Sequence, residues 1–270
     1  IDAELVVDAT GRTSRTPKWL EEHGYPAPEV DEVTINVSYS TVLLDRPEKD
    51  RRAFIVFPSP SHRRTGAVFP VEDGRWLMTL VGIHDEVPPT DPKGLEAYAE
   101  ALPIPQFGEL LANHAKTSDD IAHYPFPATL RRRYEELPRF PRNLVVVGDA
   151  IASFNPIYAQ GMSVAALEAV QLQHTLAAGG LDRVGPRFFD SITQTVDSAW
   201  SLAISADHQF PQTEGHKPRG TDIVNRYVAR LQRKAQTDSE LFDVFMQVQG
   251  MEIPPSALMQ PRVLWRVLKP

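Results

Sequence analysis

The sequence predicts a mixed α/β (α+β) chain: part of a sheet layer of an α/β domain, an antiparallel sheet inserted into it, and a helical C-terminal region. Three observations carry this reading. Two short apolar runs, Leu5-Val6-Val7 and Leu144-Val145-Val146-Val147, each end in a turn, at Asp8-Ala9-Thr10-Gly11 and at Gly148-Asp149. Between them, apolar and polar residues alternate in period two, the mark of half-buried strands. Beyond Gln160, apolar residues recur at steps of three and four, the mark of helices.

Neither bounding run has a polar alternate residue, as expected of strands covered on both faces, so the two are read as strands of one layer. Val33, Ile35, Val37 and Tyr39 alternate with Thr34, Asn36, Ser38 and Ser40, which predicts a strand with one buried face. Residues 54–57 and 67–69 continue the strand-rich stretch. Val71-Glu72-Asp73-Gly74-Arg75-Trp76 sets an Asp-Gly turn between apolar runs, a hairpin signal. Helices are expected over residues 92–102 and 105–114, before the chain returns through Tyr124 and Phe126. After Gly148-Asp149, the residues Met162, Ala165, Ala166, Ala169, Leu172 and Leu176 mark the apolar stripe of an amphipathic helix over residues 160–178. Gly179-Gly180 ends it. Further helices are expected around residues 188–206, 223–234 and 239–248, and Pro254-Pro255 opens a short tail. The expected divisions are 1–29 and 127–180 for the layer, 30–126 for the inserted sheet and 181–270 for the helical region.

Composition narrows the function. A chain of 270 residues, 42% hydrophobic and 23% charged, can bury one large core or two modest ones. A net charge of -7 argues against tracking nucleic-acid phosphates. Arg131-Arg132-Arg133 is a short basic run, read as a solvated linker face in preference to a steering site for an anionic donor or substrate. The absence of cysteine excludes disulfides, thiolate nucleophiles and Cys-ligated metal, and a reducing, cytoplasmic setting is expected. No stretch approaches the ~18 to 20 apolar residues of a spanning helix. The eight histidines lack the close helical spacing of a zinc site, so no metal is expected, and Gly-x-Ser-x-Gly does not occur. Trp200, Phe210 and Trp265 are read as core in preference to a substrate pocket, while Phe57, Phe69 and Met78 on the sheet could serve either. The chain starts at Ile1 and enters an apolar strand at once, which is read as truncation or processing. Such a chain by itself is expected to expose a sheet edge and to aggregate.

The segment of chemical interest is Gly148-Asp149-Ala150-Ile151-Ala152-Ser153-Phe154-Asn155-Pro156-Ile157-Tyr158-Ala159-Gln160-Gly161-Met162-Ser163. A buried strand here delivers an aspartate at its C-terminal end, where open α/β sheets bind ligands, and a Pro/Gly loop then opens a small-residue helix. Asp149 can accept hydrogen bonds from sugar-alcohol hydroxyls. The helix start near Gly161 and Met162 suits an anion or a ring that becomes anionic. The residues alone equally allow a strand, loop and helix that simply pack, with Asp149 as a cap.

This segment resembles the second FAD-binding motif of flavin-dependent monooxygenases, and Asp8-Ala9-Thr10-Gly11-Arg12-Thr13-Ser14 resembles the family's other internal motif, Asp-Gly-x-x-Ser. The resemblance, to a family of the aromatic-hydroxylase and squalene- and polyether-epoxidase kind, extends over essentially the whole chain, with details closest to bacterial relatives that include polyether-type epoxidases. It implies a partial Rossmann-like FAD-binding layer carrying an inserted substrate sheet. Asp149 would hold the ribityl chain, Gly148 before it would also bind the cofactor, and the loop and helix start from Asn155-Pro156 to Met162, Gly161 included, would face the isoalloxazine edge. Asp8, Gly11 and Arg12 would lie near FAD, with Ser14 beside them. The implied activity is hydroxylation or epoxidation of an apolar, aromatic or unsaturated small molecule through a flavin C4a-hydroperoxide, with O2 as co-substrate and NAD(P)H as donor. Isoprenoid reductases and flavin halogenases share the architecture, and a non-catalytic flavin-fold fragment or binding module is the rival of another class. No Gly-x-Gly-x-x-Gly follows a strand in these residues. The pyrophosphate clamp that this fingerprint supplies is therefore expected in a missing N-terminal segment, and the 270 residues alone are expected to be inactive.

Overall fold

In the computed structural model, residues 2–117 and 120–269 are described, and the chain divides into two units. The first comprises Ile1–Val33, Thr129–His208 and Gly215–Pro270, the second Thr34–Ala128 and Gln209–Glu214. In chain order the elements are β1 (Val6–Asp8), α1 (Thr16–Glu22), β2 (Val30–Asp45), β3 (Phe54–Val56), β4 (Arg64–Val71), β5 (Arg75–Ile83), α2 (Pro92–Glu100) and α3 (Gln106–Asn113). There follow β6 (Ala122–Arg132), β7 (Leu144–Val146), β8 (Ala152–Ser153), α4 (Gly161–Gly179), α5 (Val184–Asp207), β9 (Glu214–Gly215), α6 (Thr221–Ala235), α7 (Ser239–Gln249) and α8 (Pro261–Leu268). The chain passes between the units within β2 and within β6.

In the first unit β1 and β7 pair in parallel, Val6 opposite Leu144 and Asp8 opposite Val146. Backbone bonds from Val6 N–H to the Asn143 carbonyl (2.8 Å) and from Val147 N–H to the Asp8 carbonyl (2.9 Å) extend the ladder at both ends. Val145 and Val146 are buried with Val164 of α4 and with Phe188, Phe189 and Ile192 of α5. The expectation that both strands are covered on both faces holds for β7 only. Val6 and Val7 are exposed, and β1 pairs on one side alone among the described residues. A separate apolar cluster joins α6, α7 and α8 through Leu231, Leu241, Phe245, Val263 and Val267. Asp238 caps α7, accepting from the N–H groups of Glu240 and Leu241. The expected tail is thus partly helix: Pro261 starts α8, and Val263 and Val267, four apart, bury one face. Trp265, on the other face, is 69% exposed and belongs to no core, whereas Trp200 and Phe210 are buried as expected.

In the second unit the strands lie in the order β3-β4-β5-β2-β6, with β3/β4, β4/β5 and β5/β2 antiparallel. The β4–β5 connection carries Asp73 and Gly74 at positive φ (57° and 62°), conformations these residue types accept at low cost. One sheet face, with Val42, Leu44, Val68, Trp76, Met78 and Leu80, packs on Leu95, Tyr98, Phe107 and Leu110 of α2 and α3. Met78 is therefore core, while Phe57 and Phe69 are exposed. The strict alternation expected for β2 changes phase: Val33, Ile35 and Val37 are buried, then Ser40, Val42 and Leu44. Asn36 takes a left-handed φ of 49° just before the change and interrupts the two-residue pleat.

No helix of the described residues is long and apolar enough to cross a membrane. The two sheet faces lead to a measurable contrast. Met78→Ala is expected to cost about 2–5 kcal/mol in urea unfolding, and Phe69→Ala, on the opposite face, less than about 1 kcal/mol.

Candidate functional site

The site is built in the first unit, where the parallel pairing of β1 and β7 brings two turns to the same end of the strands. The Gly11–Thr13 turn follows β1 and the Gly148–Ala150 turn follows β7. Gly11 and Gly148 both take left-handed φ (80° and 64°), which turns the backbone where a side chain would be strained. A Cβ on Gly11 would lie 4.0 Å from Asp149 Cβ, and one on Gly161 would lie 3.6 Å from Asp149 Oδ1. Asp149, Gly11 and Gly161 therefore share one small space, each half-buried. Ser153 Oγ donates to Asp149 Oδ2 at 3.1 Å, while Oδ1 receives no hydrogen bond among the described residues. Pro156 is exposed in the following loop, and Met162, in the first turn of α4, is 83% exposed.

α4 begins here without a side-chain cap. Its first-turn N–H groups, with the positive end of a 19-residue helix dipole behind them, stand uncapped beside Gly161 and Asp149. Gln160, the residue before the helix, is fully buried, and neither end of its amide finds a partner among the described residues. Ala159, just ahead of it, is left-handed at φ 55° without being glycine.

Asp8 plays a different part from Asp149. Its carboxylate is buried and accepts from Thr10 N–H (2.9 Å), from Thr10 Oγ1 (2.6 Å) and from the hydroxyls of Ser14 and Thr16. Burial works to raise the Asp8 carboxyl, but the bonds from Ser14, Thr10 and Thr16 outweigh it and hold the group below its ordinary range. Asp8 and Ser14 thus shape the turn that presents Gly11 and Arg12. Arg12 is half-buried; burial lowers its guanidinium, Arg132 adds to this, and Glu32 and Asp149 oppose it.

The basic run is not a solvated linker face. Arg131 and Arg132 are buried. Arg131 pairs with Asp197 and Glu135, and Arg133 with Asp31 and Glu135. Arg132 donates from Nη1 to the Ala150 carbonyl (2.9 Å) and from Nη2 to the Arg12 carbonyl (2.8 Å), stapling one turn to the other. A charge run at the end of a strand reads as surface because partners this far away in sequence leave no local signal.

Two further acids went unread in the sequence. Glu168, two turns into α4, accepts from Gly148 N–H through Oε2, and its Oε1 has no partner among the described residues. Burial, with Asp149 nearby, outweighs the bond from Gly148 and pushes Glu168 up to about 7. Asp207, at the end of α5, accepts from Asn155 Nδ2 (2.8 Å), the Tyr158 hydroxyl (2.8 Å) and Thr129 Oγ1 (3.0 Å), and burial pushes it up to about 6. A lone glutamate inside Ala165-Ala166-Leu167-Glu168-Ala169-Val170 was the available signal for the first. Among the described residues, no group of three or more His, Cys, Asp or Glu is placed to hold a metal ion.

The fold is shared with solved structures of a flavin-dependent halogenase and of an oxygenase, and with one solved with FAD. Among solved structures, the flavin-dependent brominase Bmp2 aligns with a TM-score of 0.60 at 16% identity, over 92% of this chain and 57% of its own. 2-Methyl-3-hydroxypyridine-5-carboxylic acid oxygenase gives 0.54 at 18% identity, over 75% and 53%. HpxO of Klebsiella pneumoniae, solved with FAD and uric acid, gives 0.52 at 16% identity, over 98% and 59%. In sequence, "Protein Rv3254" of Mycobacterium tuberculosis is 39% identical over 180 residues, 66% of this chain and 38% of its own length. The chain thus spans less than two thirds of each of these proteins. No protein-family model matches the chain.

The raised acid at Glu168 has a measurable consequence for stability. The folded chain keeps the proton up to about pH 7 while the unfolded chain releases it near the ordinary value of 4.5, so this stabilisation is full below the lower value and lost as pH rises through the upper one. Glu168→Gln, which does not titrate, is expected to lose less melting temperature than the parent between about pH 5 and about pH 8. Parallel melting curves across that range would contradict the assignment.

Proposed function

We propose that this chain is part of an FAD-dependent monooxygenase and supplies the ribityl- and ring-facing half of its cofactor site. The observation that carries the reading is the space shared by Asp149, Gly11 and Gly161 at the uncapped start of α4. The residues fit the group: Oδ1 of Asp149 receives no hydrogen bond among the described residues and would accept from a ribityl hydroxyl, Gly161 leaves room that a Cβ would fill, and the first-turn N–H groups of α4 would favour a ring that gains negative charge on reduction. Bound FAD, once reduced by NAD(P)H, would activate O2 and deliver one oxygen atom to substrate. The protein's work is to bind, orient and exclude water. Gly148, Pro156 and Met162 border the same turn and helix start, and Asp8, Gly11 and Arg12 form the second turn.

The substrate we propose is an apolar, aromatic or unsaturated small molecule. The open face of the second unit's sheet supports this: Phe69, Leu77 and Leu43 lie in one cross-strand row, with Ile55 and Phe57 also exposed. The hydroxyls of Thr41 and Thr79, 2.9 Å apart, give that face a polar spot. The pyrophosphate clamp would come from residues outside these 270, and the exposed apolar residues Val6 and Val7 of β1 and Leu167 and Val170 of α4 are surfaces such a segment could cover. By itself the chain would then turn nothing over. A halogenase is the second reading, favoured by the match to Bmp2 over most of this chain.

Two substitutions test the cofactor site in the full-length protein by flavin fluorescence titration. Asp149→Ala is expected to weaken FAD binding about tenfold, the cost of a hydrogen bond to a polar ligand group. Gly161→Ala is expected to leave the melting temperature of the apoprotein unchanged, because its Cβ meets only ordinary contacts, yet to weaken FAD as strongly. Unchanged affinity in both variants would overturn the site. Substrate-dependent NAD(P)H oxidation with one O2 consumed per product supports the monooxygenase. A halogenated product formed only with added bromide or chloride supports the halogenase, and FAD binding without turnover leaves a non-catalytic flavin protein.

A further inference from the structure

We propose that Glu168 and Asp207 are positioning residues that fix the two ends of the flavin-facing segment, residues 148–158, without touching the ligand. The proposal rests on the cofactor reading above, which makes this segment the one that faces FAD.

The segment cannot position itself. It consists of two 3-10 turns, Gly148–Ala150 and Pro156–Tyr158, joined through the two-residue β8. Irregular backbone of this kind is placed by what its polar groups bond to. At the first end, the N–H of Gly148 donates to Glu168. Side chains on a helix lean toward its N-terminus, so Glu168 leans back toward Ala165, beside which Gly148 lies. At the second end, Asn155 Nδ2 and the Tyr158 hydroxyl converge on Oδ1 of Asp207, the last residue of α5, while Thr129 holds Oδ2. The Asn155 side chain also accepts from Ile157 N–H at 3.2 Å, so the anchor reaches the backbone of the second turn.

Both acids lie beyond the reach of a ligand, Glu168 at 1% exposure and Asp207 at 0%. Burying a carboxyl is costly, and an apolar residue of similar volume would pack the same helix interface at lower cost. What an apolar residue cannot do is receive the donors of this one segment. The Glu168 bond comes from the segment, as do the Asn155 and Tyr158 bonds to Asp207.

The test uses the full-length protein, with FAD itself as probe. The measurements are its dissociation constant, the visible absorption bands of the bound flavin, and the melting temperature of the apoprotein. Glu168→Ala and Asp207→Ala are expected to weaken FAD at least about tenfold and to shift the flavin bands. Glu168→Gln and Asp207→Asn, which keep the accepting oxygen, are expected to restore both toward the parent values. If either alanine variant fails to fold, Tyr158→Phe removes one Asp207 donor with little loss of volume, and a weaker FAD complex with shifted bands is expected from it. Alanine variants, or Tyr158→Phe, that melt lower while binding FAD with parental affinity and spectrum would show the acids to be merely structural and overturn the proposal. Equal losses in the alanine and amide variants would overturn it too. A parent protein that binds no FAD overturns the cofactor reading and this proposal with it, whereas parental binding with indifferent variants overturns this proposal alone.

Discussion

The site depends on the parallel register of β1 against β7. Because the strands run the same way and are paired with Asp8 opposite Val146, both chains leave the sheet at one end, and the two turns that follow meet. Had the pairing been antiparallel, Gly11 and Asp149 would stand at opposite ends of the strands. Two three-residue strands make a weak pair, and the contact between the turns is secured by side chains. Arg132 binds a carbonyl of each turn, and Asp8 gathers the hydroxyls of its own turn. Charges placed in this way are buried but hydrogen-bonded, which offsets part of the cost of burying them.

Much of this was legible in the sequence, for reasons that particular residues make clear. The runs ending at Asp8 and Asp149 are short, apolar and closed by turn residues, and both form strands where expected. Asp73-Gly74 marked the hairpin because few residues accept its backbone conformation. The phase change in β2 was hidden, since an asparagine that adopts a left-handed φ looks like any polar residue in an alternating strand. In α4 the element was legible but its buried stripe was not. Apolar residues surround this helix, so periodicity marked Met162, Ala166 and Ala169, which are exposed, while the buried positions are Val164, Glu168 and Thr175. Period alone picks a face only when the other face is polar.

Of the proposed site, the residues assigned to the ligand could be picked out in the sequence, whereas those that bond to their turns could not. Asp149, Gly11 and Gly161 announce themselves by turn and helix-start chemistry. Arg132, Glu168 and Asp207 act through partners far along the chain, and their burial contradicts what charged residues ordinarily do. The same distinction explains Asp8. An aspartate after a strand reads as a ligand contact, yet its oxygens are met by Thr10, Ser14 and Thr16 and serve the turn.

Hydrogen–deuterium exchange of the full-length protein with and without FAD tests the account most directly, because it reports which backbone amides the cofactor covers. The account predicts added protection in two stretches distant in sequence, the Gly11–Thr13 turn and the start of α4 from Gly161, where the first-turn N–H groups lack a side-chain cap. Protection confined to one of these stretches, or found only elsewhere in the chain, would contradict a cofactor site built where the two turns meet.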